Sequence, residues 1–125
     1  MIYGIGVDLA QISRIENAFE RFGQRFAERI LGEQELQDFQ HTKRPVRFLA
    51  MRFAAKEAAS KAFGTGFKQG VAPRQIEVRH NQAGKPSLVF SGQAQNLITQ
   101  NNIVASHVSL TDEDDFAVAY VILEV

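Results

Sequence analysis

The sequence FAAKEAASKAFGTGF, residues 53–67, has the pattern of a helix that ends in a glycine turn. The helical pattern begins near Val46, and at about 100° per residue it places apolar side chains on two opposite sides of the helix. The two stripes are Val46, Leu49, Ala50 and Phe53 on one side and Phe48, Met51, Ala55, Ala59 and Ala62 on the other. A helix that is apolar on both sides is usually buried. We therefore expect the rest of the chain to fold around this helix.

Two charged residues, Glu57 and Lys61, stand one helical turn apart in this pattern. Glu57 continues the first apolar stripe, where a charge usually has a partner or a metal ion. An ordinary surface pair at this spacing, worth about 0.2–0.5 kcal/mol, is the alternative. Gly64 and Gly66 follow the helix and would let the backbone come close to a ligand. The end of the long helix is therefore a candidate site.

The composition is that of an ordinary globular domain, with 125 residues of which 45% are hydrophobic. We expect one domain over residues 1–125, because no linker, repeat or low-complexity tract divides the chain. The absence of cysteine excludes disulfides, thiol catalysis and cysteine-ligated metals. The N-terminal segment lacks basic residues, and Asp8 interrupts its short apolar run. We therefore expect no signal peptide, no membrane span and a cytoplasmic location.

The formal net charge is zero, but the charges are distributed unevenly. Residues 14–68 contain 11 Lys and Arg against 7 Asp and Glu. A basic N-terminal half suits an anionic ligand or an acidic protein partner. The excess is too small for a dedicated nucleic-acid-binding protein.

Helical patterns dominate the first half of the chain and strand patterns the second. Ser13 and Glu16 fit a capping box, which predicts a helix that begins at Arg14 and is weakened or ended by Gly23. Further helices are expected at 24–31, 33–40, 46–63 and 93–101, and strands at 2–7, 75–80, 87–90, 103–110 and 116–123. The last two strands should form a hairpin that the N-terminal strand can join. The predicted fold class is α+β, with an antiparallel sheet and one long buried helix.

Asp8 follows the first predicted strand directly, at the mouth of a strand-to-helix turn. Mg²⁺ prefers one or two carboxylates, with waters and substrate phosphates as its other ligands. Asp8 and Glu57 could supply those two carboxylates. The alternative for Asp8 is a turn residue that stabilises the start of the following helix.

His107 lies in an alternating strand, in which it shares one side with Ser109 and Thr111. These three side chains form a row of donors that could face a phosphate group. A solvated face of a sheet is the alternative.

Arginines form a third candidate feature, since Arg14, Arg21 and Arg25 are separated by 7 and 4 residues. They share one face, with Arg29 nearby, if the helix continues through Gly23. Such a face could bind an acidic helix of a partner protein. A solvated helix face is the alternative.

Three segments together resemble one known family. They are GIGVDL at 4–9 running on to ISRIE at 12–16, RFAAKEAASKAFGTG at 52–66, and SHVSLTD at 106–112. In this order they closely resemble the holo-acyl-carrier-protein synthases, the small bacterial 4'-phosphopantetheinyl transferases. GKP at 84–86 is similar to that family's hairpin turn. The resemblance spans nearly the whole chain.

The resemblance implies an activity: transfer of the phosphopantetheine arm of coenzyme A to a serine of apo acyl carrier protein, with release of adenosine 3',5'-bisphosphate. It implies that Asp8 and Glu57 ligate Mg²⁺ at the coenzyme A pyrophosphate. Lys61 would neutralise a pyrophosphate oxygen, and Glu57 and Lys61 are the expected catalytic residues. The general base would be Glu57 or a metal-bound water, and the sequence does not choose between them. Such transfer depends mainly on positioning and charge neutralisation.

The resemblance also assigns the coenzyme and protein contacts. Arg52, His107 and Thr111 are the expected contacts for the phosphates or the nucleotide, and the turn with Gly64 and Gly66 would allow the nucleotide to come close. The family is typically a homotrimer with active sites between subunits, so His107 and Glu57 are expected to meet across an interface. The helix with Arg14, Arg21 and Arg25 would receive the acidic helix of the carrier protein.

Two other functions compete with this interpretation. A nuclease of the ribonuclease H type also begins with an Asp on a strand and places a Glu on a helix. Such sites need further carboxylates for two metals, and Glu77 is the only acidic residue between Gln69 and Thr111. A non-catalytic module that binds an acidic partner is the second alternative, and it leaves Asp8 and Glu57 unexplained.

Overall fold

The computed structural model describes residues 1–125, and its elements confirm the predicted α+β class. A short 3-10 turn at Pro73–Gln75 precedes the second strand. The elements are β1 (Ile2–Gln11), α1 (Ile12–Phe22), α2 (Gln24–Ile30), α3 (Glu33–His41), α4 (Pro45–Phe63), β2 (Ile76–His80), β3 (Pro86–Phe90), α5 (Gly92–Gln100), β4 (Ala105–Glu113) and β5 (Phe116–Glu124).

The strands form two antiparallel sheets. The larger has the order β1-β5-β4, so the N-terminal strand joins the last hairpin as predicted, and β2 with β3 forms the smaller sheet. The side chains of β5 alternate: Ala117, Ala119, Val121 and Leu123 are fully buried, whereas the residues between them are exposed or half-buried. The buried side packs on α4 and forms the core. We call the opposite side of this sheet the outer face.

Strand β1 lies directly against α4 because two glycines remove side chains from between them. A Cβ atom on Gly6 would overlap with the carbonyl oxygen of Ala58, and one on Gly4 would overlap with that of Ala62. Both alanines are buried in the core. This close approach fixes the position of Asp8, two residues after Gly6, relative to the last turns of α4.

Helix α4 is buried on a third side that its apolar pattern did not predict. Lys56 is almost fully buried, and its Nζ lies 2.6 Å from Glu35 Oε1 and donates to the carbonyl of Ile76 at 2.5 Å. Glu35 also accepts hydrogen bonds from the backbone N–H groups of Gly32 and Val78. Burial lowers the pKa of Lys56, and Glu35 opposes that shift. The ion pair joins α4 to α3 and β2.

The structure corrects the position of Asp8 in the fold. Strand β1 continues to Gln11, because its pairing with β5 extends from Asp8 opposite Ala119 to Gln11 opposite Phe116. Asp8 is therefore inside a strand, and the prediction that it ends the strand at a turn is wrong. The longer strand still turns the Asp8 side chain toward α4, since its neighbours Val7 and Leu9 are exposed on the outer face.

The predicted capping box is also wrong. Helix α1 begins at Ile12, two residues before the predicted start, and its N-cap residue Gln11 makes no side-chain capping bond. The N–H group of Ile12 instead donates to the carbonyl of Asp115 at 2.8 Å. The hairpin between β4 and β5 therefore supplies the acceptor for the N–H group of the first helical residue.

Gly23 ends α1 and separates it from α2. Its backbone has φ 61° and ψ −140°, and its N–H donates to the carbonyl of Phe19. The helix therefore does not continue from Arg14 to Arg25, and a single arginine face on one helix is wrong. None of the five helices is long and apolar enough to cross a membrane.

Candidate active site

The ammonium group of Lys61 joins α4 to β1. Its Nζ lies 3.2 Å from Asp8 Oδ1 and donates to the carbonyl of Val7 at 2.9 Å. The Asp8 side chain is 15% exposed and that of Lys61 is 52% exposed, so the contact opens to solvent on the lysine side. No ion pair forms between Lys61 and Glu57, and the simple surface pair considered from the sequence is therefore wrong.

Glu57 is half-buried and completes the charged cluster. Burial raises its pKa, the negative charge of Asp8 raises it further, and Lys61 opposes the shift. The two carboxylates are therefore close enough to repel each other, and the lysine does not fully offset that repulsion.

The cluster lines a cavity of about 510 Å³ between β1, α1 and α4, which we call the carboxylate cavity. Arg14 adds a further positive charge to its wall, and the other half of the wall is apolar. The lining residues are Asp8, Leu9, Ala10, Gln11, Arg14, Ile15, Ala18, Phe26, Phe53, Glu57 and Lys61. The wall of the cavity therefore combines charged and apolar side chains.

The donor set fits a Mg²⁺ ion that is completed by its substrate. Two carboxylates are available, and no group of three or more His, Cys, Asp or Glu side chains could hold a metal by itself. Mg²⁺ commonly takes one or two carboxylates together with waters and substrate phosphates. A two-metal nuclease site needs more carboxylates than this cavity has.

Arg52 does not join the carboxylate cavity. Its guanidinium group lies over the Phe48 ring at 4.0 Å from the centroid, and its Nε lies 3.7 Å from Glu35 Oε2. One terminal nitrogen lies 3.5 Å from His80 Nδ1. Burial lowers the pKa of Arg52, with Glu35 opposing the shift. Its side chain thus faces α3 and β2.

His107 and Thr111 lie on the outer face of the larger sheet, with exposed side chains. Val108 and Leu110 are half-buried on the core side, which confirms the predicted alternation. Because α4 covers the core side, one chain does not bring His107 together with Glu57.

Gly64 and Gly66 follow α4 with φ values of 82° and 59°. Gly64 is the left-handed C-cap of the helix, as expected from the glycine turn. No atom lies within 4 Å of a Cβ placed on either glycine, so the turn is open to its surroundings.

A family model described as the 4'-phosphopantetheinyl transferase superfamily matches residues 4–121. The chain belongs to this superfamily. It is 51% identical over 124 residues to a holo-[acyl-carrier-protein] synthase of Vibrio cholerae, which covers 99% of this chain and 98% of that protein. The predicted family is therefore confirmed.

Solved structures of the superfamily agree with the fold. The crystal structure of holo-[acyl-carrier-protein] synthase from Neisseria meningitidis matches with a TM-score of 0.95 at 41% identity, and covers 100% of both chains. The enzyme from Bacillus anthracis, solved in complex with CoA (3',5'-ADP), matches with a TM-score of 0.84 at 41% identity and covers 99% of this chain and 97% of that one.

The arginines of this superfamily member fall into two neighbouring places. Arg14 lines the carboxylate cavity, and Arg25 and Arg29 line a second cavity of about 350 Å³, which we call the arginine cavity. Phe26 and Phe53 contribute to both walls. Arg21 is exposed, and its guanidinium group lies 5.1 Å from the ring centroid of Phe22 in the arginine cavity.

Among the ionic contacts of this superfamily member that sequence reasoning missed, two bear on the residues of the site. The sequence contains one indication of the pair of Lys56 with Glu35. Lys56 lies one helical turn after Arg52 and one before Ser60, so these three polar residues define a third side of the helix. The pair of His107 with Glu124 joins neighbouring strands at 2.5 Å. It depends on strand register, which the sequence patterns did not provide.

Proposed function

We propose that this chain transfers the 4'-phosphopantetheine group of coenzyme A to a serine of apo acyl carrier protein, with Mg²⁺ held by Asp8 and Glu57. The serine oxygen forms a bond to the phosphorus that carries pantetheine. The bond from that phosphorus to the leaving adenosine 3',5'-bisphosphate breaks, and the serine proton is released. The observation that carries the proposal is the cluster of Asp8, Glu57 and Lys61 in one open cavity of a superfamily member.

The charges of the cavity suit phosphoryl transfer, which depends on positioning and on neutralisation of developing negative charge. Lys61 would contact a pyrophosphate oxygen, and its exposed side chain leaves room for that contact. Asp8 and Glu57 repel each other when the cavity holds no divalent cation, which favours cation binding between them. Bound Mg²⁺ would polarise the pyrophosphate and neutralise its charge.

A homotrimer with active sites between subunits is the second part of the proposal. The outer face exposes several apolar side chains, among them Ile5 at 54%, Val7 at 50% and Leu9 at 62%. Contiguous apolar surface of this kind favours association with another chain. His107 and Thr111 lie on the same face. If this face packs near the carboxylate cavity of the next subunit, it would bring His107 and Thr111 to the coenzyme.

Two coenzyme contacts would come from other parts of the chain. The open turn at Gly64 and Gly66 follows directly on the helix that carries Lys61, which supports a nucleotide contact there. Arg52 would need a coenzyme phosphate to approach the side of α4 that faces His80. Its Nε is buried and lies 3.7 Å from Glu35 Oε2, so a phosphate could reach only the terminal nitrogens of the guanidinium group.

The carrier protein would bind beside the carboxylate cavity. Arg14, Arg21 and Arg25 lie along α1 and the start of α2, next to the apolar rings of Phe22 and Phe26. An acidic helix could pair with the arginines while an apolar side chain fills the arginine cavity. Such binding would place the acceptor serine near Asp8 and Glu57. The cytoplasmic location stays a prediction from the sequence.

Intact-mass measurement of the carrier tests the proposed activity. The chain is incubated with coenzyme A, Mg²⁺ and apo acyl carrier protein, and a carrier whose acceptor serine is replaced by alanine is the control. We expect the carrier mass to increase by one phosphopantetheine group, with one adenosine 3',5'-bisphosphate released for each carrier modified. Release of nucleotide without modification of the carrier, or no reaction, would overturn the proposal.

A further inference from the structure

The outer face carries a histidine–carboxylate pair at its β4–β5 edge. His107 Nε2 lies 2.5 Å from Glu124 Oε1. The two residues are diagonal neighbours, since the register pairs His107 with Ile122 and Glu124 follows two residues later on β5. The side chains are 56% and 40% exposed, so a ligand can reach both.

The contact defines which nitrogen of His107 carries a hydrogen. A carboxylate can only accept a hydrogen bond, so Nε2 must donate to Glu124. The ring is thereby held by one nitrogen, and Nδ1 is left free to make another contact. In the imidazolium form both nitrogens donate, so Nδ1 can bind an anion while Nε2 stays on Glu124.

We infer that Glu124 is a positioning residue that holds the His107 ring for contact with a phosphate group of the coenzyme. The inference rests on the proposed function, in which His107 binds coenzyme A. A ring that is already oriented loses less side-chain entropy when the ligand binds. Glu124 then acts through His107 and needs no contact with the coenzyme itself.

An opposite effect of Glu124 is physically possible and makes the inference easy to test. A carboxylate near an anion site repels the anion. If Glu124 acted mainly in this way, its neutralisation would strengthen nucleotide binding. If it positions His107, the same change weakens binding, and only while His107 is present. The sign and the dependence on His107 therefore separate the two effects.

Calorimetric titration with adenosine 3',5'-bisphosphate measures the sign of the change in nucleotide affinity and its dependence on His107. We compare the wild type, Glu124→Gln, His107→Gln and the double variant, with Glu20→Gln as a control because Glu20 is an exposed carboxylate on α1 that lines neither cavity. We expect Glu124→Gln to weaken binding about fivefold in the wild-type background and less than twofold in the His107→Gln background. Glu20→Gln should bind as the wild type does.

Unchanged or tighter binding by Glu124→Gln would overturn the inference, and so would the same loss in both backgrounds. These outcomes leave the transfer activity of the wild type intact, so they are distinct from failure of the proposed function, in which the wild type itself does not modify the carrier.

Nitrogen-15 NMR of the wild type gives a test that needs no variant. We expect His107 to carry hydrogen on Nε2, and a neutral ring with hydrogen only on Nδ1 would contradict the inference.

Discussion

Lys61 Nζ lies 3.2 Å from Asp8 Oδ1 on the neighbouring strand and makes no ion pair with Glu57, one turn earlier on its own helix. The contact joins β1 to α4 at the mouth of the carboxylate cavity. The pKa of Glu57 is raised by burial and by the charge of Asp8, and Lys61 only partly opposes this shift. The cavity is therefore arranged to gain stability when a divalent cation binds to it.

Replacement of Glu57 by Gln should stabilise the metal-free chain at pH 7. The raised pKa means that folded Glu57 holds its proton more tightly than unfolded Glu57, so stability falls as the pH rises through the carboxylate range. Removing the charge should raise the midpoint of thermal unfolding by about 2 °C at pH 7, a modest shift because Glu57 is partly exposed. The gain should disappear as the pH falls toward about 4.

Differential scanning calorimetry from pH 4 to 8 measures this difference, with Glu113→Gln as a matched carboxylate change at an exposed position. A less stable Glu57→Gln variant at pH 7 would contradict the prediction. Addition of Mg²⁺ should make the wild type more stable than Glu57→Gln, because the ion stabilises only the protein that binds it. An equal increase in the midpoint of the variant and the wild type would argue against Glu57 as a ligand.

The close contact of β1 with α4 predicts a sensitive position at Gly6. Gly6→Ala should lower the free energy of unfolding by about 1–3 kcal/mol, because the added methyl group overlaps with the carbonyl of Ala58. The displacement of β1 should also reduce transfer by moving Asp8 away from Glu57. Urea unfolding and the transfer rate measure the two effects.

Gln37→Ala, an exposed change on α3, is the control for Gly6→Ala and should alter stability by less than about 0.5 kcal/mol. A fully stable and fully active Gly6→Ala variant would show that β1 can move without effect on the site.

The buried ion pair behind the site predicts a non-additive effect. Lys56→Met should cost about 3–5 kcal/mol, because it removes the closer of the two cations beside the fully buried Glu35 carboxylate and leaves only Arg52, whose Nε lies 3.7 Å away. The double variant Lys56→Met/Glu35→Gln should be more stable than Lys56→Met alone, since a neutral side chain at position 35 can still accept from the backbone of Gly32 or Val78. Urea unfolding of Lys56→Met, Glu35→Gln and the double variant gives the coupling. Additive losses would argue against an uncompensated charge as the cause.

The arginine cavity predicts a selective defect in carrier binding. Arg25→Glu should raise the KM for the carrier protein about tenfold, because it reverses a charge that would face the acidic partner in the proposed complex. The KM for coenzyme A should stay the same, since Arg25 lies outside the carboxylate cavity. Lys43→Glu, an exposed charge reversal outside both cavities, is the control. Equal changes in both KM values would contradict a separate carrier surface.

Much of the fold could be predicted because its signals are local. The two-sided apolar pattern of α4, the glycine turn at Gly64 and the alternation of β4 all follow from the period of a single element. The elements whose bounds differ from the prediction depend on partners that are distant in sequence. Asp8 lies inside a strand because β5 continues to pair with β1, and α1 begins at Ile12 because Asp115 accepts its hydrogen bond.

The candidate site also contains some features that the sequence predicted and others that it did not. The cavity with Asp8, Glu57 and Lys61 was expected from the sequence and the resemblance, although the partner of Lys61 was not. The burial of Lys56 was not predicted, because Lys56 lies between the two apolar stripes of α4, on a third side of the helix that carries polar residues. The pair of His107 with Glu124 requires the register of two strands, which a single sequence leaves open.

The two faces of the larger sheet lead to the most direct measurement on the proposed site. Glu57 lies on the side of α4, whereas His107 lies on the outer face, so the two would meet only between subunits. Glu57→Gln and His107→Ala should each be inactive alone. Co-expressed in equal amounts, they should assemble at random into trimers, and about one quarter of all sites in the population should combine an intact Glu57 with an intact His107.

Intact-mass measurement of the acyl carrier protein determines the outcome, with each variant expressed alone as the control. We expect the co-expressed population as a whole to transfer phosphopantetheine at about one quarter of the wild-type rate. If the mixture is as inactive as its two components while each variant keeps the wild-type oligomeric state, Glu57 and His107 do not act together across an interface.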